Sequence, residues 1–206
     1  QPDLGSASVI VGMWFILLVA ARIPWRLLFG IVGSGMCFVL LGWFFLFAPY
    51  QKDRIITFLD PARDPLGAGY NVQQSVVAIG AGGFFGRGLG SGTQSQLHFL
   101  PEAQTDFIFA VIGEELGLLG ALSVLLLYGI LIFRALFISG HAKTEFGAYA
   151  AIAVGAYFFI HLFLNVGAAT GIVPVTGVTL SFVSYGGSAF IMSSVLAGVL
   201  VSISRS

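Results

Sequence analysis

The sequence predicts an all-α, polytopic membrane protein of about five transmembrane helices with one long extracytoplasmic loop. Three observations predict it. Hydrophobic residues make up 57% of the chain and charged ones only 9%, where soluble domains carry about a quarter charged residues, so most of this surface must face lipid. Mean hydropathy is +0.97. The apolar residues also gather into runs near the roughly 20 residues a helix needs to cross a hydrocarbon core, and in lipid a single segment satisfies its own backbone only as a helix.

The first predicted span covers 6–21 and is short enough to need its flanks. Arg22, Pro24 and Arg26 then mark a turn into the second span, 27–49. A third run, 105–137, is longer than a core of about 30 Å requires, so its acidic start, with Glu114 and Glu115, is expected to project above the membrane. The fourth and fifth spans cover 146–169 and 184–203, with connectors at 139–145 and 170–183.

Residues 50–104 form the predicted loop, with four basic and four acidic side chains. Within it, 71–79 suits a short interfacial helix, whereas 80–92 is too glycine-rich for a regular one. That stretch matches neither a P-loop nor a strand-flanked dinucleotide fingerprint, so flexibility or close packing is favoured over anion binding. The whole chain, 1–206, reads as one integral membrane domain. Its opening Gln1-Pro2-Asp3 lacks the basic start of a signal peptide, and the expectation is a C-terminal fragment of a longer protein.

Nine basic and nine acidic residues cancel, which gives no reason to expect a nucleic-acid partner. The single Cys37 excludes an intrachain disulfide. Arg22, Arg26, Arg134, Lys143 and Arg205 fall on one side of five alternating spans, and the enrichment of Lys and Arg on the cytoplasmic side makes that side cytoplasmic. The loop, with Asp53, Asp60, Asp64 and Glu102, then faces outward.

Asp106 stands where the loop meets the third run. On the residues alone, capping of the helix start outweighs chemistry there. Glu114 sits among Ile112, Leu116 and Leu118, and an acid in such a place is either a site facing a cavity or a hydrated boundary residue. Helical spacing would turn Asp106 and Glu114 roughly 80° apart, close enough to border one cavity. Arg63 and Arg87 are the outward cations suited to a diphosphate, with salt bridges to Asp60, Asp64 or Glu102 as the competing reading. His98, His141 and His161 lack zinc-site spacing, and His161 is expected to bond another helix. Ser184 lies in no nucleophile elbow and reads as packing and loop anchoring, as Asn165 reads as part of a helix end.

The segments 60–75 (DPARDPLGAGYNVQQS) and 92–109 (GTQSQLHFLPEAQTDFIF), with QPDLG at 1–5, GEELG at 113–117 and SYGGS at 184–188, closely resemble the SEDS proteins of shape, elongation, division and sporulation. The resemblance spans nearly the whole chain, and DPLGAGYN with GTQSQL looks more like the rod-shape branch (RodA) than the division branch (FtsW). It implies the C-terminal half of a ten-helix fold in the bacterial cytoplasmic membrane. The implied activity is that of a peptidoglycan glycosyltransferase, polymerising lipid II beside a class B penicillin-binding protein. It makes Asp106 the expected catalytic carboxylate and Arg63, Arg87, Gln96, Glu102 and Glu114 the candidate substrate contacts, with a divalent cation (Mg or Mn) as a candidate cofactor. The chain departs from the family at 178–181, where Val, Thr, Leu and Ser stand in place of the usual prolines.

A flippase for a lipid-linked sugar and a non-catalytic scaffold for a transpeptidase are the competing readings. They separate on Asp106: a transferase needs the carboxylate for bond formation, a scaffold tolerates Asn, and a flippase moves lipid without making polymer.

Overall fold

The computed structural model of the chain describes residues 4–45, 47–60, 63–64, 67–96, 100 and 102–205. Its described residues are helical or irregular, in the order α1 (Leu4–Ala20), α2 (Trp25–Phe45), α3 (Pro49–Leu59), α4 (Ala68–Gly82), α5 (Thr93–Gln96), α6 (Ile108–His141), α7 (Glu145–Ala169) and α8 (Gly187–Arg205). Four of these, α2, α6, α7 and α8, are long and apolar enough to cross a membrane, and α1 is a shorter apolar helix. The chain is therefore a multi-pass membrane protein.

Helices α6 and α7 form the central pair, with α1 against α7, α4 against α6, and α8 against both members of the pair. Inside a bilayer the lipid is as apolar as the side chains, so close packing rather than water expulsion holds such helices together. Small residues provide that closeness here. Gly147, Ala151 and Gly155 recur every fourth residue on the buried side of α7, and a Cβ on Gly155 would sit 3.1 Å from that of Ala135 on α6. Tyr128, Ala135, Ala151, Phe158 and Leu200 fill this seam, and Val9, Ile160 and Val178 fill the one beneath α1. By contrast α2 leaves Phe29, Met36, Phe38, Phe44 and Phe45 exposed, as a helix facing lipid or another helix does.

The described part of residues 50–104 contains more helix than the short one expected at 71–79. It holds α3, α4 and α5, and α4 runs through Gly80 to Gly82, past the end expected at Ile79. One face of α4 is buried at Ser75, Ala78 and Gly82, and the Ser75 hydroxyl donates to the Ala169 carbonyl at the end of α7 at 2.6 Å. Burial against neighbours thus outweighs the poor helix propensity of glycine.

Helix α6 is broken at Gly117, whose φ of 66° and ψ of −161° are non-helical. The segment from 118 to 141 alone reaches roughly 36 Å, enough to span a bilayer core. The break would leave backbone groups without partners, which lipid punishes by several kcal/mol per group. The turn after α4 supplies them. Leu118 N–H donates to Gly83 O at 2.9 Å and Leu119 N–H to Phe84 O at 3.3 Å, while Arg87 and Gly88 N–H groups donate to Glu114 and Glu115 carbonyls, both at 3.0 Å. Glycine is required at this crossing: a Cβ on Gly82 would lie 1.8 Å from Gly113 O, and one on Gly86 2.1 Å from Glu115 O. Close packing is therefore the role of Gly82 and Gly86 within the glycine-rich stretch.

Candidate functional site

The acidic turn before α6 is built around one carbonyl. Glu102, at φ 56°, presents its carbonyl to the N–H groups of Thr105, Asp106 and Phe107 at 3.1, 3.1 and 3.3 Å, and the Thr105 hydroxyl donates to the Glu102 carboxylate at 2.9 Å. Helix α6 starts only at Ile108, with Phe107 as its N-cap and no side-chain cap bond. The Asp106 carboxylate is thus not a helix cap. The expected helical spacing between Asp106 and Glu114 fails for the same reason, since Asp106 precedes the helix.

Two distant side chains fix this turn in space. Asn165 on α7 donates through Nδ2 to the Asp106 carbonyl at 2.9 Å and to the Val178 carbonyl at 3.0 Å. Ser184 donates to the Thr105 carbonyl at 2.6 Å while accepting from Leu180 N–H at 2.8 Å, and Tyr185 N–H donates to Gln104 O at 2.8 Å. Ser184 anchors the loop, as its sequence context suggested. Asn165, read from sequence as part of a helix end, also joins α7 to the acidic turn.

The connector that carries Gly177 closes over Asp106: a Cβ on Gly177 would stand 3.7 Å from Asp106 Oδ2. The 178–181 stretch, without prolines, is held by side chains. Asn165 captures the Val178 carbonyl, His161 Nδ1 meets the Thr179 carbonyl at 2.9 Å, and the Tyr128 hydroxyl donates to the Ser181 carbonyl. Among the described residues His161 therefore bonds the connector, where a bond to another helix was expected.

Asp106 is partly buried, and burial pushes its carboxyl above the ordinary carboxylate range; Glu102 pushes the same way and Arg54 opposes them. Arg54, on α3, is the cation that the sequence reading missed. It lines a small apolar cavity with Thr57, Phe58, Val72, Pro174 and Val175. The one available signal was its place in the charged opening of the loop, Lys52-Asp53-Arg54, and nothing local ties that opening to Asp106.

The other expected contacts are dispersed. Arg63 is exposed and pairs with Asp60 at 3.1 Å. Arg87 donates to the Ala81 carbonyl and to the Thr93 hydroxyl at 3.1 and 3.0 Å, bracing the turn after α4. Glu114 is fully buried and accepts from Thr93 Oγ1 at 3.2 Å and Gln94 N–H at 3.0 Å, which ties α5 to α6. Its surroundings are those of a buried, bonded acid rather than of a hydrated boundary residue. The Gln96 side chain and His98 lie outside the described residues. Among the described residues no three His, Cys, Asp or Glu side chains gather as a metal site.

Several known proteins are similar to this chain. The chain is 47% identical over 203 residues to peptidoglycan glycosyltransferase MrdB of Escherichia coli K12, covering 98% of this chain and 55% of that protein. It is 41% identical to stage V sporulation protein E of Bacillus subtilis, covering 100% and 55%. A solved structure described as the structural coordination of polymerization and crosslinking by a peptidoglycan synthase complex superposes with a TM-score of 0.79 at 32% identity, covering all of this chain and 56% of the other. An Asp-to-Ala mutant of the Thermus thermophilus rod shape determining protein RodA gives 0.58 at 26%, covering 99% and 50%. The chain spans about half the length of the curated relatives it matches. The family described as cell cycle protein, FtsW/RodA/SpoVE, matches residues 1–206, and the chain belongs to that family.

Proposed function

We propose that the gene product is a peptidoglycan glycosyltransferase of the rod-shape branch. It polymerises lipid II into glycan strands on the outer face of the bacterial cytoplasmic membrane, beside a class B penicillin-binding protein. The observation that carries this reading is Asp106: a partly buried carboxylate, free of any helix-capping duty, on a turn fixed by bonds from Asn165 and Ser184.

Asp106 acts as general base. It takes the proton from the acceptor sugar 4-hydroxyl as that oxygen attacks the donor anomeric carbon; the new glycosidic C–O bond forms as the bond to undecaprenyl diphosphate breaks, and the electron pair leaves on the diphosphate. Burial suits the role, because a carboxyl raised above its ordinary range is a stronger base. Arg54, whose charge reaches Asp106, is the cation suited to the charge developing on the leaving diphosphate, while Arg63 and Arg87 already have partners. A divalent cation belongs to the proposal only as a participant supplied with substrate.

The test is glycan polymerisation from purified lipid II by the gene product with its penicillin-binding partner, comparing Asp106→Asn with wild type at matched folding. Loss of a general base costs roughly 10²–10⁴-fold in rate. Polymer made at the wild-type rate would refute the assignment and leave the scaffold reading standing.

A further inference from the structure

At the end of the bundle opposite Asp106 lies a second concavity that the glycosyltransferase reading does not use. Helix α6 contributes Arg134, Phe137, Ile138 and His141 to it, the α6–α7 connector contributes Lys143, and the last turn of α8 contributes Ser204 and Arg205. Its volume is about 410 Å³, within the roughly 300–1,000 Å³ typical of sites for small molecules. Positions 134, 137, 138 and 141 repeat at helical spacing, so one face of α6 forms a wall.

The charge of this concavity is one-sided. Arg134, Lys143 and Arg205 line it, and no Asp or Glu among the described residues does. None of the three cations is in an ion pair with a described residue. Phe137 organises the wall instead. The Arg134 guanidinium lies 5.7 Å from its ring centroid, and the His141 ring stacks on Phe137 at 4.3 Å while its Nδ1 meets the Phe137 carbonyl at 2.9 Å. Three cations held near one another without counter-ions repel, and an anion relieves that repulsion.

Two further facts select the anion. The concavity sits where α6 and α8 end and α7 begins, at the end of three apolar helices, where head groups lie and acyl chains can run along exposed Phe133, Leu136 and Val201. It is also the side on which Arg22, Arg26, Arg134, Lys143 and Arg205 place the cytoplasm. Basic pockets between helices at that surface take anionic head groups.

We propose that Arg134, Lys143 and Arg205 form a binding site for the phosphate of an anionic phospholipid of the cytoplasmic leaflet, which joins the ends of α6 and α8. Guanidinium groups on two different helices hold the phosphate oxygens, Lys143 adds a third charge, and the acyl chains lie in the membrane beside α6.

The test uses the gene product in detergent and counts bound lipid by native mass spectrometry against added phosphatidylglycerol, phosphatidylcholine or inorganic phosphate. Phosphatidylglycerol should bind first and phosphatidylcholine should not compete with it. Removing one cation should weaken binding roughly fivefold, and Arg134→Gln with Arg205→Gln together roughly 30-fold. All three cationic side chains are exposed, so these variants keep the fold. Arg22→Gln with Arg26→Gln, on the same side but outside the concavity, should change binding less than twofold. An equal loss in that control, or equal binding of phosphatidylcholine, would overturn the site. Inorganic phosphate binding as tightly as the lipid would overturn its assignment to a phospholipid. Because the readout is lipid bound and not polymer made, failure here is distinct from failure of the glycosyltransferase reading.

Discussion

Replacing Asn165 by Leu tests whether the position of Asp106 is set from α7. The side chains are close in size, so the change removes the amide and little volume. Nδ2 bridges the carbonyls of Asp106 and Val178 at 2.9 and 3.0 Å, and Asn165 is only 1% exposed. Leaving a buried acceptor without a partner costs roughly 1–3 kcal/mol, and two are orphaned here. Part of that returns, because Asn165 Oδ1 is itself buried without a partner among the described residues. The net loss is about 2–3 kcal/mol, concentrated where the acidic turn meets the connector. A displacement of about 1 Å at a reacting group costs on the order of 10²-fold in rate. The expected outcome for Asn165→Leu is therefore a fall in kcat of roughly 10–100-fold with KM changed less than about threefold, measured on lipid II, and a melting temperature lowered by a few degrees. Ser193→Ala is the control: its buried hydroxyl bonds Ala189 O within α8 at 2.7 Å, so it should leave kcat near wild type. An Asn165→Leu protein with wild-type kcat would refute the idea that this amide positions Asp106.

The pH dependence follows from the same carboxyl. Burial and Glu102 raise its pKa above 3.8, so the acid limb of the rate profile should lie above the ordinary carboxylate range; Arg54→Gln removes the opposing influence and should move that limb to higher pH, and a limb that stays in place would show that Arg54 does not act on Asp106. For stability the sign is unfavourable: the unfolded carboxyl ionises first, so stability contributed by this group falls as pH rises from 3.8 through the folded value and stays lower above it. Gly117→Ala places a Cβ 2.3 Å from Gly86 N at a φ of 66°, and should cost more than about 3 kcal/mol, read as loss of folded yield and of melting temperature; a normal melt would show that the crossing of α4 and α6 tolerates separation.

The composition and the lengths of the apolar runs determined that the chain is a helical membrane protein, because partition into lipid depends on a segment's summed hydropathy and not on its neighbours. The motif Thr105-Asp106-Phe107, through its resemblance to the family, singled out Asp106, though as a helix start and not as the turn that the structure shows. Tertiary structure decided the rest. Whether 80–82 is helical depends on α6 lying against α4, and the break at Gly117 is tolerable only because Gly83, Phe84, Arg87 and Gly88 supply its missing backbone partners. Arg54 reaches Asp106, and Asn165 and Ser184 fix the turn, across 52, 59 and 79 residues of sequence respectively. Local pattern carries the energy of moving a segment from water to lipid; bonds between segments far apart in sequence exist only once the helices have packed, and these bonds decide where the carboxylate stands.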